Sequence, residues 1–215
     1  TLQDKGGVYL REKDAIGDVY VKGILARGKD GKLIEEEGGY KVDRSQRIKI
    51  GSVNPDFSIG WRHNVTWNNI TLDLLFNGRF GGIVISWTQS VLDAAGVSKV
   101  SADVRDAGGV QINQSKVSAQ TYYQTIQGTA AYYTYSATNV RLGELSRSIT
   151  LPKKWFDNKV GMTGGLVGKN LWMIYCKAPC DPELTTSAAS NFYQGFDAYM
   201  LPSTRNFGFN VKFQF

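Results

Sequence analysis

Phe207-Gly208-Phe209-Asn210-Val211-Lys212-Phe213-Gln214-Phe215, the last nine residues of the 215-residue sequence, decides the reading of the fold. Phe207, Phe209, Val211, Phe213 and Phe215 are apolar, and a Gly, two amides and a Lys stand between them. Because strand side chains alternate between faces, this is a strand with one wholly apolar face and one that meets water or a polar lumen. The same period runs through Phe57, Ile59, Trp61, His63, Val65 and Trp67, with Ser58, Gly60, Arg62, Asn64 and Thr66 between them. Ten residue steps at about 3.3 Å, tilted by roughly 40 to 45°, give a band about 25 Å tall, the height of the apolar belt of a membrane β-barrel. Phe57 and Trp67 then fall at the rims of that band. With Trp61 they form a set of candidate membrane-interface aromatics.

A third run follows two residues later, with Ile70, Leu72, Leu74, Phe76 and Phe80 on one face and Thr71, Asp73, Asn77 and Arg79 on the other. Asn68-Asn69 tolerates positive φ, which predicts a tight hairpin and antiparallel neighbours. From Val140 to Leu151 the alternation changes phase between Leu142 and Leu145, predicting a β-bulge at Gly143 and Glu144 before Pro152 ends the strand. Val160 to Tyr175 is glycine-rich and alternates poorly but lacks helix formers, so it also reads as a strand. Asp18 to Ala26 is a further candidate, and the first dozen residues offer the end of another. The total is six or seven strands. Short connectors (Asn68-Asn69, Pro152 to Lys159) alternate with long ones (Gly28 to Asn54, Ile83 to Thr138, Cys176 to Thr204), as outer-membrane barrels alternate short periplasmic turns with long outer loops. In the longest, Ser86 to Leu92 predicts a short helix, whereas Ala119 to Tyr135 shows no clear period. The division expected is residues 1–56 as N-terminal strands with a long outer loop, then residues 57–215 as C-terminal strands with long loops at 83–138 and 176–204.

Composition agrees with this. No window approaches the 18 or more apolar residues of a membrane helix, but alternating strands average to an ordinary hydropathy, so a mean hydropathy of -0.27 does not establish solubility. A net charge of +6 is scattered, with one local cluster at Lys153, Lys154 and Lys159, so nucleic acid is not an expected partner. The sequence opens on Thr1 with no basic n-region or apolar h-region, so no signal peptide is expected within these residues and the chain is expected to be processed or a portion of something longer.

The chemical candidates are weak. Thr163 occupies the first Gly position of a P-loop and Asn170 follows Lys169, so that motif fails twice. His63 is the single histidine and has no second ligand for a metal site or a catalytic dyad. Asp30-Gly31-Lys32 and Glu35-Glu36-Glu37 lack the ligand spacing of an EF-hand and read as a solvated loop. Asn64, Asn69 and Asn113 begin N-x-[ST] sequences, and two of these lie in or beside predicted membrane strands. Cys176 and Cys180 sit in a predicted outer loop, where a local disulfide, two free thiols or a zinc half-site are the readings. With so few other Cys or His ligands, the disulfide or nothing is favoured over zinc. No catalytic residue, metal or cofactor is expected, because no nucleophile, base or paired carboxylates converge in the sequence.

Six segments in order across residues 51 to 215 carry a resemblance. Gly51-Ser52-Val53-Asn54-Pro55-Asp56-Phe57 and Arg79-Phe80-Gly81-Gly82 come first, and then Asn139-Val140-Arg141-Leu142-Gly143-Glu144-Leu145-Ser146 with Ile149-Thr150-Leu151-Pro152-Lys153-Lys154-Trp155. Gly168-Lys169-Asn170-Leu171-Trp172, Asp181-Pro182-Glu183 and Leu201-Pro202-Ser203-Thr204-Arg205-Asn206-Phe207-Gly208-Phe209 complete the run. It resembles the C-terminal part of a SusC/RagA-like TonB-dependent outer-membrane transporter. Gly143 stands where that family usually has a basic residue, and Arg147 and Ile149 replace the commoner Leu and Tyr.

The resemblance implies an all-β chain of antiparallel transmembrane strands, part of a barrel of about 22 strands, with no plug domain in these residues. It further implies a wall segment of an importer of oligosaccharides or peptides in the bacterial outer membrane. The implied partners are the remainder of the barrel and its plug, a SusD-like surface lipoprotein, TonB and outer-membrane lipid. Phe207, Phe209, Val211, Phe213 and Phe215 resemble the C-terminal signal read by the barrel-assembly machinery, whose physical basis is an apolar strand edge that can pair with another sheet. A small autonomous barrel and a secreted carbohydrate-binding β-sandwich are the competing readings.

Overall fold

The computed structural model describes residues 7–8, 15–36, 39–112, 115–156, 160–184 and 194–214. Glu37, Asn113, Lys159 and Phe215 lie outside the described residues. In chain order the strands are β1 (Gly7–Val8), β2 (Asp18–Leu25), β3 (Glu35–Glu36), β4 (Gly39–Tyr40), β5 (Val42–Ser52), β6 (Phe57–Trp67), β7 (Ile70–Phe80), β8 (Ile83–Ser86), β9 (Val110–Ile112), β10 (Ser115–Val117), β11 (Thr134–Ser136), β12 (Asn139–Leu151), β13 (Gly161–Cys176), β14 (Phe196–Asp197) and β15 (Asn206–Gln214). The helices are α1 (Trp87–Ala94), α2 (Lys99–Asp106) and α3 (Ala119–Ile126). Two compact units result. A wall unit draws on Asp56–Gly81, Thr138–Lys177 and Pro202–Phe215, and a loop unit on Thr1–Pro55, Gly82–Ala137 and Ala178–Leu201.

The wall unit is one antiparallel sheet in the order β15-β13-β12-β7-β6. β6 and β7 pair in unbroken register from Phe57↔Phe80 to Trp67↔Ile70, closed by the predicted two-residue turn with Asn68 at φ 51°. The predicted bulge is also present. Against β7 the register shifts between Leu142 and Glu144, which restores phase so that Leu145 and Ile149 share the face of Leu142. β13 absorbs the same shift with two further residues, Asn170 and Leu171, since Lys169 pairs with Glu144 and Trp172 with Leu142. Asn170 takes φ 54° there. Its poor alternation in sequence is thus the trace of an irregularity in a continuous 16-residue strand.

Register assigns the faces. On one, the row Trp67-Ile70-Ile149-Gly164-Val211 lies below the row Val65-Leu72-Arg147-Leu166-Phe209, and the apolar pattern continues to the opposite end. Phe57 stacks on Phe80 at 4.8 Å and Trp61 on Phe76 at 5.5 Å. Phe207 and Phe209 remain 78% and 81% exposed, and Phe57, Trp61 and Trp67 are more than half exposed. At about 2 kcal/mol per large apolar side chain, leaving five such aromatics in water forgoes about 10 kcal/mol, as much as the whole stability of a typical domain. A sandwich would bury this face against a second sheet. As in a membrane barrel, the apolar solvent it needs is lipid, and the strands form an open arc rather than a closed barrel.

The loop unit has its own cores. Val19, Val21, Val53, Ile85, Trp87, Ala130 and Phe196 form one, and Ile112, Ala119, Tyr122, Tyr123 and Ile126 another. Among the described residues seven strands run to eight residues or more; five build the wall, and β2 and β5 pair with each other in the loop unit. β5 corrects the reading of Gly28 to Asn54 as a connector: Asp43, Arg44, Ser45, Arg47 and Lys49 leave it no apolar period to read. Ser86, Ser98 and Ser118 cap the three helices, each hydroxyl accepting from the backbone N–H three residues on at 3.0–3.1 Å. The expected helix near Ser86 is therefore α1. α3 corrects the view of Ala119 to Tyr135 as unpatterned, because Ala119, Tyr122, Tyr123 and Ile126 are buried at i, i+3, i+4 and i+7.

Where β7 leaves the wall, Phe80 accepts from the Asp56 backbone N–H at 2.9 Å and the Gly81 N–H donates to Thr138 Oγ1 at 3.0 Å. Gly81 sits at φ +81°, and a Cβ there would meet the Asp56 backbone nitrogen at 2.9 Å. Backbone, unlike a side-chain tip, cannot swing away. Gly81→Val is expected to destabilise the wall by about 1–3 kcal/mol, as strained positive-φ sites do. Denaturant unfolding of the purified protein checks this, and an unchanged midpoint would count against it.

Candidate lumenal surface

The second face of the wall carries the polar partners of the apolar rows. Arg62, Asn64 and Thr66 of β6 stand opposite Leu75, Asp73 and Thr71 of β7, and Glu144 of β12 stands opposite Lys169 of β13. Asn64 Nδ2 donates to Asp73 Oδ1 at 2.8 Å, and Arg62 Nε lies 3.7 Å from the same oxygen. Arg62 Nη2 also reaches Glu144 Oε1 at 3.6 Å, and Lys169 Nζ stands 4.0 Å from Glu144 Oε2. Charges from four strands thus form one ladder, Asp73-Arg62-Glu144-Lys169. Glu144 can reach both cations because the bulge at Gly143 turns it to this face. Thr66 with Thr71 and Thr150 with Thr163 add hydroxyl pairs at 3.2 Å.

Arg62 and Lys169 are more than 60% exposed, so each pair is worth well under 1 kcal/mol and does not hold the sheet together. The ladder instead determines the chemistry of the surface, a row of alternating charge and amide groups suited to hydrated polar solutes. At the other end of β12, Asn139 and Arg141 are buried, and Arg141 Nε donates to Asn139 Oδ1 at 3.2 Å. These two motif residues support structure.

Titratable groups in the loop unit serve its packing. Lys49 Nζ donates to Asp18 Oδ2 at 2.5 Å and the Ala15 N–H at 3.0 Å, which hold the Asp18 carboxyl below the usual carboxylate range against the opposing effect of desolvation. Buried Asp93 accepts from Gln89 Nε2 at 2.7 Å and from Ser98 Oγ, and Ser86 Oγ donates to Asp197 at 2.6 Å. Burial, reinforced by Tyr132 and Asp93, pushes the Tyr123 phenol up to about 12, and burial next to Asp93 does the same to Tyr135.

The sequence-predicted residues fall as follows. Phe207, Phe209, Val211 and Phe213 share the apolar face of edge strand β15. Phe57 and Trp67 cap the two ends of β6, with Trp61 four residues in from Phe57. His63 shares their face and tilts against Trp61 at 5.8 Å. Cys176 ends β13, Cys180 follows in the next segment, and both are half-buried. Asp30, Gly31 and Lys32 form a turn in which the Gly28 N–H donates to Lys32 O at 2.8 Å, and Glu35 and Glu36 pair with β4. Among the described residues no cluster of three or more His, Cys, Asp or Glu is placed to hold a metal. The ladder joining Arg62, Glu144 and Lys169 escaped sequence reading, because it requires the register of three separate segments.

No protein-family profile matches the chain. Two solved structures of the RagAB peptide importer share its fold: the open-open state at TM-score 0.58 and 15% identity over 95% of this chain, and the closed-closed state at TM-score 0.54 and 14% identity over 96%. At such identity the likeness concerns the fold alone. In sequence, the chain is 26% identical over 95% of its length to TonB-dependent receptor P3 of Formosa agariphila. The resemblance to the barrel portion of SusC/RagA-like TonB-dependent transporters is borne out. The chain spans 23% of the length of the Formosa agariphila receptor and 22–23% of the two structures.

The Asp18-Lys49 pair has a defined pH signature. A carboxylate whose folded-state pKa is depressed stabilises above its unfolded value, and that contribution is lost as pH falls through the folded value. Asp18→Asn is therefore expected to lower stability at neutral pH, with the deficit shrinking below about pH 4. Unfolding midpoints of both proteins between pH 3 and 7 check this; a deficit independent of pH would overturn it.

Proposed function

We propose that this chain is a stretch of the wall of a TonB-dependent importer in the bacterial outer membrane, that its cargo is an oligosaccharide or peptide, and that it works beneath a SusD-like surface lipoprotein. One observation carries the reading: a single sheet presents a continuous apolar face across five strands and a charged, amide-rich face behind it, with β6 and β15 at its edges. Open edges in hydrocarbon are costly, since each unpaired backbone group costs several kcal/mol there. Such a sheet calls for further wall on both sides. The peptide import named for the RagAB structures and the TonB dependence named for the Formosa agariphila receptor support the cargo class and the energy source.

In this reading the long segments 81–138 and 177–205 leave the outer end of the wall and the Asn68-Asn69 turn its periplasmic end. Arg62, Glu144 and Lys169 face the water-filled interior. The proton-motive force, delivered through TonB to a plug, gates passage past them. Deleting the gene of the full-length protein in its native bacterium is expected to abolish energy-dependent uptake of a labelled peptide or oligosaccharide mixture. Unchanged uptake of both would overturn the reading.

Phe215 and the β15 aromatics serve as the assembly signal in this proposal. Removing Phe215 from the full-length protein is expected to lower the amount of heat-modifiable barrel in outer-membrane fractions several-fold, and an unchanged amount would remove the signal role. Cys176 and Cys180 are proposed to form a local disulfide, which predicts thiol labelling only after reductant; full labelling beforehand excludes it.

A further inference from the structure

Among the described residues, every charged side chain of the wall but one lies on the polar face or at a strand end. The exception is Arg147, whose register partners Leu72 and Leu166 place it squarely in the apolar face. Among the described residues it has no acidic partner. It stands one row in from the row of Trp67, Ile70, Ile149, Gly164 and Val211, beside the end where Asn68-Asn69 turns. This is the depth at which an arginine costs little in a membrane barrel, because its stem covers apolar surface while the guanidinium reaches the headgroup level.

A groove opens beside it. Nothing lies within 4 Å of where a Cβ on Gly164 would stand, so the apolar face is notched at that position. Ile149, Leu151, Met162, Leu166, Phe209 and Val211 surround the notch, and Arg147 borders it, in a groove of about 430 Å³. Lys153 does not contribute a charge to it, since the Lys153 stem packs by Gly161, whose register with Gln214 assigns it to the opposite face. The groove is thus apolar along its length and cationic at one end. Its occupant must combine an aliphatic chain with an anion near the membrane surface.

We infer that this groove on β12, β13 and β15 is a binding site for one glycerophospholipid of the periplasmic leaflet, with an acyl chain over Gly164 and the lipid phosphate paired with the Arg147 guanidinium. Planar guanidinium donors match two phosphate oxygens at once, and the surrounding low dielectric strengthens the pair relative to water. The inference rests on the proposal that the sheet is an outer-membrane wall with its Asn68-Asn69 turn at the periplasmic side. A leucine at position 147, the family's commoner residue, would leave the wall intact and remove the anion site.

The test uses the full-length protein, extracted from outer membranes, stripped of lipid in detergent and titrated in native mass spectrometry with phosphatidylglycerol or with diacylglycerol of the same chains. Phosphatidylglycerol is expected to bind the wild-type protein, and Arg147→Leu is expected to weaken it about tenfold, the usual scale for losing a charge-assisted pair. Arg147→Lys keeps a point charge and should retain part of the affinity. Gly164→Leu fills the notch and should lower binding of both lipids, whereas Lys212→Gln, on the polar face, should change nothing. Equal affinity of wild type and Arg147→Leu, or equal binding of diacylglycerol and phosphatidylglycerol, overturns the site. Heat-modifiability of every variant in outer-membrane fractions is read alongside. A wild-type protein missing from that fraction fails the transporter reading itself, whereas an inserted Arg147→Leu protein with undiminished lipid fails this site alone.

Discussion

A backbone amide in hydrocarbon has no water to bond to, so each N–H and C=O that crosses must be satisfied within the sheet. The wall follows from that constraint. Five strands pair side by side from β6 to β15, and the irregularities are register shifts that leave the ladder paired: the bulge near Gly143 and Asn170, and a second shift between Val140 and Arg141 against β13. Pairing also fixes the two faces, because a strand held in register has no freedom to turn its side chains over. The apolar face is therefore not an accident of exposure. It is one face of a ladder whose opposite face must meet water.

The polar face shows how a small irregularity acquires chemical meaning. In a regular strand that kept Gly143 as an ordinary residue, Glu144 would share the apolar face of Leu142. With the bulge, the carboxylate stands between Arg62 and Lys169. These exposed pairs add little stability. Their consequence lies in placing both signs of charge side by side on one face of the wall.

The loop unit obeys a different rule. It is built as a water-soluble domain is, with buried valines, tyrosines and Trp87 at its centre and the buried carboxylates of Asp93 and Asp197 supplied with amide and hydroxyl donors. Three serine-capped helices of eight residues each are too short to stand alone and draw their stability from those cores. One chain thus folds under two solvents, and its single mean hydropathy hides both.

The sequence by itself determined what depends on near neighbours. Alternation at Phe57 to Trp67 and at Phe207 to Phe213 specified strands and their apolar faces, Asn68-Asn69 specified a hairpin, and the phase change after Leu142 located a bulge. Ordered motifs from Gly51 to Phe209 pointed to the family. β5 and α3 were not legible. A strand with a charged residue at nearly every other position has no period to read, and the apolar spacing of Ala119, Tyr122, Tyr123 and Ile126 is partly masked by the tyrosines that continue past it. Only the tertiary structure decided which distant residues meet: Arg62 with Glu144, Asp18 with Lys49, and Arg147 beside the Gly164 notch. The physical reason is register. Local chemistry sets which face a residue takes within its own strand, but the residue it faces is set by how far each neighbouring strand has slid, and that is a property of the paired sheet.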